Sequence, residues 1–466
     1  MIKNLKPVII RGKEYLPVIE GGKGIGATNG RSSGAFAAAD AIGTYSGANA
    51  FDCDENGTPL PQVYHGKTRR EKHDELVAMG ISGGIKQAKI ARDISGGKGR
   101  VHINVLWEQG GAERVLHGIL EKAKGLIDGV TCGAGMPYRL SEIAEKYNVD
   151  YFPIVSSMRA FRALWKRAYH KCKDLLGGVV YEDPWLAGGH NGLSNGEDPN
   201  VPQNPYQRVA ELRKFMNEVG LEKTPIIMAG GVWYLRDWQD WFDNEEIGAI
   251  AFQYGTRPLL TQESPIPEGW KKKLLTIKEG DVYLNNFSPT GFYSSAFENK
   301  FLKELKHRAE SQVAFKTQPE GYYTEALPLP PRGRPVYIDP NDMERVKSYQ
   351  EQGFDMPMKT PDDTLIFVTK EQSDEIIFDQ INCMGCLSHC RFSNWKDHDD
   401  YTTGKKADPR SFCIQKSLNN SILGEDIEKN LMFAGHNAYK FVTDPFYANG
   451  FIPTVKQLVD RIITGD

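Results

Sequence analysis

From about residue 18 to residue 260, short apolar or β-branched runs alternate with longer stretches of helical period. Strands buried on both faces and joined by helices read this way, so the pattern predicts a parallel α/β sheet. The runs place strands near 18–22, 43–47, 101–106, 129–133, 151–157, 178–182, 225–230 and 248–254. Eight such units close a (β/α)8 TIM barrel, which is the expected fold. A doubly wound open sheet is the alternative; most of these runs end in Gly, Ser or Ala clusters, as strand ends lining a ligand crevice require. Ala160, Leu164, Ala168 and Cys172 repeat at spacing four, as do Val115, Ile119 and Ala123, and both sets predict helix faces packed on the core.

Beyond Glu263 the alternation stops, so the barrel is expected to occupy residues 1–264. Residues 265–340 are rich in Pro and aromatics, and Leu327 to Pro331 predicts an extended segment. Residues 341–430 form a second part of this C-terminal extension and carry a cysteine cluster. Residues 431–466 end in a helical period with Val455, Leu458, Val459, Ile462 and Ile463 apolar, expected to pack back on the barrel. Residues 50–68, with Asp54-Glu55-Asn56-Gly57, read as an insertion after the second strand.

Charge narrows the function classes. Lys plus Arg (57) nearly balances Asp plus Glu (60), so the global basic field of a nucleic-acid binder is absent. Met1 to Gly21 carries charges throughout, and nowhere do 18 apolar residues run together, so the expectation is a cytoplasmic protein without a membrane partner. Seven cysteines, four of them in the last quarter, point to reduced thiols rather than a disulfide framework.

Three glycine motifs fall at the ends of the sixth, seventh and eighth predicted strands, the face where barrels place their active sites. In Ala187-Gly188-Gly189-His190, two glycines admit a planar ligand close to the backbone and deliver an imidazole to its edge. Met228-Ala229-Gly230-Gly231-Val232 ends the seventh strand, and Gln253-Tyr254-Gly255-Thr256-Arg257 the eighth. Amides of Gly230, Gly231, Gly255 and Thr256 could converge on one phosphate, since loops after strands seven and eight commonly build that site. A cofactor with one terminal phosphate is expected; no Gly-x-Gly-x-x-Gly followed by an acidic residue marks a dinucleotide fold. Each motif alone is more often a tight turn or an ordinary histidine. Together and in order they are a stronger signal.

These motifs, with Thr261-Gln262-Glu263-Ser264, Asn104 after the third strand, Gly133-Ala134-Gly135 with Pro137 after the fourth and Ser156-Ser157 after the fifth, resemble the nitronate monooxygenase (2-nitropropane dioxygenase) family. The resemblance spans about residues 17–264 and fades to Ser288-Pro289-Thr290-Gly291 and the final helix. It implies FMN over the barrel mouth, with Gly22, Asn104, Gly189, Gly230, Gly231, Gln253, Gly255 and Thr256 contacting it and His190 as catalytic base. The family usually carries Met or Pro in the first strand-end loop, whereas here Gly21-Gly22-Lys23-Gly24 sets a lysine there, read equally as a solvated side chain or a flavin contact. Cys132 is expected to be a buried thiol, and His102 and His117 structural or exposed.

The last constellation is Cys383, Cys386 and Cys390, with Cys413 further on. Its spacing resembles ligand runs of [4Fe–4S] sites in other flavin-containing barrel reductases; four thiolates also suit structural zinc, and buried unliganded thiols are the plain alternative. Three readings follow. A nitronate or nitroalkane oxidase would use dioxygen. An enoyl-thioester reductase would take hydride from NAD(P)H, and the cysteine cluster tilts toward it by offering a route for electrons. A non-catalytic flavin or metal sensor binding a protein partner is the third. The substrate is a small molecule in the first two, a nitronate or an acyl-thioester, and the sequence does not give the oligomeric state.

Overall fold

The computed structural model describes residues 2, 5–54, 57–330, 332–397 and 401–465. Met1, Glu55, Asn56 and Pro331, named above, lie outside them. The predicted alternation closes into a barrel of eight parallel strands: Val18–Glu20, Ile42–Ser46, Arg100–Leu106, Gly129–Gly133, Asp150–Val155, Val179–Glu182, Ile226–Ala229 and Ile250–Tyr254. The eighth pairs with the first through Phe252 and Val18, which leaves no sheet edge.

The barrel interior is filled rather than hollow. Ile19, Ile42, Phe152, Val180, Ile227 and Ala251 pack together with Val8 and Ile10, which come from an antiparallel hairpin, Val8–Ile10 with Lys13–Tyr15, that caps the N-terminal end. Asp150 is buried at that end between Arg11, 2.6 Å away, and Arg100. His102 accepts from Arg100 Nε at 3.1 Å and stacks near Phe152. It belongs to this structural network, and burial beside a guanidinium holds it neutral. Cys132 is fully buried in the strand wall, and His117 contacts the Tyr147 hydroxyl.

Outside the strands, Val115, Ile119 and Ala123 face the core as expected. The other helix, Met158–Arg167, is shorter than its stripe predicts. Ala168 leaves helical geometry at φ −142, so Cys172 reaches the core from a following 3-10 turn.

No α-helix follows the eighth strand directly. Its place in the ring is taken by Val455–Thr464, which packs against the first helix, Gly30–Ala38. Val455, Leu458, Val459 and Ile462 join the same core as the barrel helices. Hydrogen bonds from Gln262 N to Pro453 O and from Val455 N to Glu263 Oε2, both 2.9 Å, fasten this helix to the chain that leaves the barrel. The intervening segment is thus inserted between a barrel strand and its helix.

The insertion has two parts. Residues 313–368 carry a small core of their own, in which Val313, Phe315, Val336, Ile338, Val346, Leu365 and Phe367 cluster. There the proline-rich run forms strand Glu325–Leu329, paired with Arg334–Ile338. The remainder spreads over the C-terminal mouth of the barrel and shares one core with it: Ile25, Phe51, Trp233 and Leu259 pack with Ala296, Leu387, Ile414, Met432 and Phe441. The 50–68 insertion is part of this cover, its Gln62 accepting from Gln415 at 2.8 Å and Asn419 at 3.0 Å. Among the described residues no helix is long and apolar enough to cross a membrane.

Leu458 is fully buried in the barrel core. Leu458→Ala is expected to destabilise the protein by about 2–5 kcal/mol, the usual range for emptying a buried leucine site. Denaturant unfolding monitored by far-UV circular dichroism checks this; an unchanged midpoint would show that the last helix adds nothing to the barrel.

Candidate active site

A cavity opens at the C-terminal ends of the strands, and every residue predicted to meet the cofactor lines it: Gly22, Asn104, Gly189, Gly230, Gly231, Gln253, Gly255 and Thr256, together with His190. Strand direction explains the convergence. All eight strands run parallel in a closed barrel, so the loops that leave their C-terminal ends share one rim and turn over the same opening.

The glycines are there for space and conformation. A Cβ on Gly22 would lie 2.2 Å from Asn104 Cβ, and the Asn104 amide donates to Gly22 O at 3.3 Å, so these two loops interlock. Gly230 and Gly231 both adopt positive φ, +83° and +77°, which aims consecutive amides in a way an L side chain would strain. Gly255 differs: a Cβ there would meet nothing within 4 Å and would project into open space.

The segment after the barrel completes the site. Strand Ser294–Phe297 pairs antiparallel with Gly189–His190, with Ser294 opposite His190. The His190 Nε2 lies 2.6 Å from Ser288 Oγ, which in turn is 2.8 Å from Thr290 Oγ1. Phe433 packs against the imidazole at 5.4 Å between centroids. Desolvation pulls the His190 pKa down to about 4, so the ring is neutral near pH 7. The loop at 434–437 locks onto the glycine turns: Gly435 N–H donates to Thr256 Oγ1 at 2.8 Å and Asn437 Nδ2 to Gly231 O at 2.6 Å.

Gln109 and Glu182 line the cavity without a readable sequence signal. Gln109 is buried on the cavity wall with neither amide atom partnered among the described residues, the state of a side chain that awaits a ligand. Glu182, at the end of the sixth strand, is raised to about 8 by burial and then by Asp183, so it holds a proton near neutrality. Lys23 is no solvated loop residue: it lines the cavity, donates to Gly21 O at 2.7 Å, and burial lowers its pKa to about 8 against the opposing pull of Glu20. Arg257, the last residue of the third motif, turns away from the cavity into a buried ion pair with Asp444 at 3.4 Å. Cys386 lines the cavity, and Cys383, Cys390 and Cys413 do not. Among the described residues no group of three or more His, Cys, Asp or Glu is arranged around a single metal ion.

The model of the nitronate monooxygenase family matches residues 128–464, more than two thirds of the chain. The chain belongs to the nitronate monooxygenase family. No curated protein matches it. Among solved structures, that of FabK from Thermotoga maritima is similar with a TM-score of 0.53 and 15% identity, covering 96% of this chain and 92% of its own. The enoyl reductase domain of MlnA from the macrolactin biosynthesis cluster of Bacillus amyloliquefaciens is similar with a TM-score of 0.52 and 11% identity, covering 96% and 93%. At these identities the likeness speaks for the fold alone. As a family member the protein is a flavin-dependent oxidoreductase with FMN as its cofactor.

The residues present fit that cofactor. Paired positive-φ glycines offer amides to a phosphate, the open space over Gly255 admits a flat group, and the unpartnered amide of Gln109 can meet a ring edge rich in donors and acceptors.

Two outcomes are expected. Gly255→Ala should leave the unfolding midpoint nearly unchanged, because the added Cβ meets no protein atom within 4 Å, yet lower FMN affinity at least tenfold in fluorescence titration. Loss of folding together with binding would place that surface in the core. For His190, the unfolded chain takes up a proton near the ordinary value of 6.5 and the folded chain only near 4. Stability attached to the neutral ring is therefore full above 6.5 and is lost as pH falls toward about 4. His190→Gln should flatten the fall of Tm across that window; an identical slope in both proteins would contradict the assignment.

Proposed function

We propose that the protein oxidises nitronates and nitroalkanes, with His190 as the base toward the substrate's α-carbon and dioxygen as the final acceptor. The observation that carries this reading is a neutral imidazole at the cavity wall, fixed by Ser288 and half-buried. If Nε2–H donates to Ser288 Oγ, whose hydroxyl passes on to Thr290, Nδ1 keeps the lone pair and can accept a carbon-bound proton. The low basicity of the free ring is offset as the reaction proceeds, because the nitronate's developing negative charge beside the imidazolium favours the charged form. Gly22, Asn104, Gly189, Gly230, Gly231, Gln253, Gly255 and Thr256 would hold FMN, with the phosphate on the amides after strands seven and eight. Bound FMN supplies the two-electron acceptor that amino-acid side chains lack.

A second reading rests on the cavity's other wall. Ile414, Leu418, Ile422, Leu431 and Met432 form an apolar surface there that would suit an acyl chain, favouring reduction of an enoyl-thioester with hydride from NAD(P)H. A non-catalytic sensor gains no support from a site that retains a desolvated histidine.

Anaerobic mixing separates the readings. A nitronate should bleach the flavin and NADH or NADPH should not; the reverse result transfers the assignment to the reductase, and reduction by none of them favours the sensor. Within the first reading, His190→Asn should cut turnover of the neutral nitroalkane by about 10²–10⁴-fold, the range of a lost general base. A pre-formed nitronate should suffer less. Equal losses for both forms would make His190 a positioning residue.

A further inference from the structure

Four cysteines meet beside the cavity. Cys383 and Cys386 are buried on the loop after helix Lys370–Ile381, Cys390 is buried in the short strand His389–Cys390, and Cys413 precedes helix Ile414–Leu423. Cys386 feels the charge of Cys413, Cys390 and Cys383; Cys413 feels Cys383 and Cys390; Cys390 feels Cys383. All four thiols are thus mutual neighbours, and all are free.

Hydrogen-bond donors converge on every sulfur. Gly385 N–H and Ser393 Oγ–H donate to Cys383 Sγ at 3.4 and 3.0 Å. Backbone N–H groups of Gln415, of Phe392 and Ser393, and of Lys416 serve Cys386, Cys390 and Cys413 in turn. A neutral thiol is a weak acceptor and a buried cysteine acting as a small hydrophobe needs no donors, whereas a thiolate needs several. These donors stand where sulfurs bound to a ligand would need them.

The arrangement also limits what they bind. Among the described residues no group of three or more such side chains is set around a single metal ion, whereas four neighbouring thiols match the ligand number of a four-iron cage. The surrounding structure shields that space: Trp395 is fully buried, donates to Leu387 O at 2.8 Å, and Gly110 N–H donates to Cys386 O at 3.0 Å.

We infer that Cys383, Cys386, Cys390 and Cys413 hold a [4Fe–4S] cluster in the wall of the flavin cavity. Loading from equal parts ferrous and ferric iron with sulfide exchanges four S–H protons for four Fe–S bonds, with no change in the oxidation state of iron or sulfur. Because Cys386 and Leu387 line the cavity, the cluster stands next to the flavin site. The inference holds for either substrate proposed above, since it concerns a bound centre and not the substrate.

The test is iron and acid-labile sulfide analysis of the full-length flavoprotein, purified anaerobically and reconstituted with equal parts ferrous and ferric iron and with sulfide. About four irons and four sulfides per chain are expected, with an electron-paramagnetic-resonance signal after dithionite reduction distinct from that of the flavin. Cys386→Ser and Cys413→Ser should each lose most of the iron, while Cys172→Ser, outside the cluster, should retain it. Should the cluster variants fail to fold, the wild-type stoichiometry decides alone. One zinc per chain, or four titratable thiols with no metal after reconstitution, overturns the inference.

Discussion

The mouth of this barrel depends on a buried ion pair. Arg257 leaves the eighth strand and meets Asp444, from the far end of the chain, with both side chains almost wholly removed from water. Arg257 also donates to Trp233 O at 2.7 Å, Trp233 Nε1 donates to Asp444 at 3.0 Å, and Tyr447 closes the group. Removing one partner of such a pair strands the other charge, at a cost of about 3–5 kcal/mol. The need for it is local. Loops made of Gly230, Gly231 and Gly255 have no side chains with which to hold themselves, so their positions must be imposed from outside.

That dependence divides the cavity into two walls of different origin. The barrel supplies backbone amides and a few polar groups, which suit a cofactor. The inserted segment supplies Phe433, Met432 and the apolar face of helix Ile414–Leu423, which suit a substrate. His190 stands at the junction: its strand belongs to the barrel, but its register partner Ser294 and its hydrogen-bond partner Ser288 belong to the insertion. Substrate preference can then change with the cover while the cofactor wall stays fixed.

The barrel was legible because its signals are local. Each of the eight strands lies within two residues of its predicted bounds at both ends, since a buried parallel strand is a short apolar run whatever surrounds it. The convergence of Gly22, Asn104, His190 and Thr256 on one opening follows from strand ends alone. The other wall was not legible. Gln109, Phe433, Asn437 and Met432 reach the cavity through long-range pairings, such as Ala296 with Phe433 and Gln109 with Leu387, that leave no period in the chain. Nor could charge counts reveal that Lys23 and Glu182 sit where desolvation alters their protonation. The stripe through Cys172 misled because equal spacing continued past the point where the backbone left the helix.

The helix Val455–Thr464 stands in the ring between strands whose other members were all made far earlier in the chain. During synthesis the strands emerge first, and the ring keeps an apolar gap where Val455, Leu458 and Ile462 belong. The ribosome must therefore deliver the whole cover before the ring of helices around the barrel is complete, so the nascent chain carries an apolar gap on the barrel until its last helix emerges. A chaperone that shields exposed apolar surface would find its binding window there.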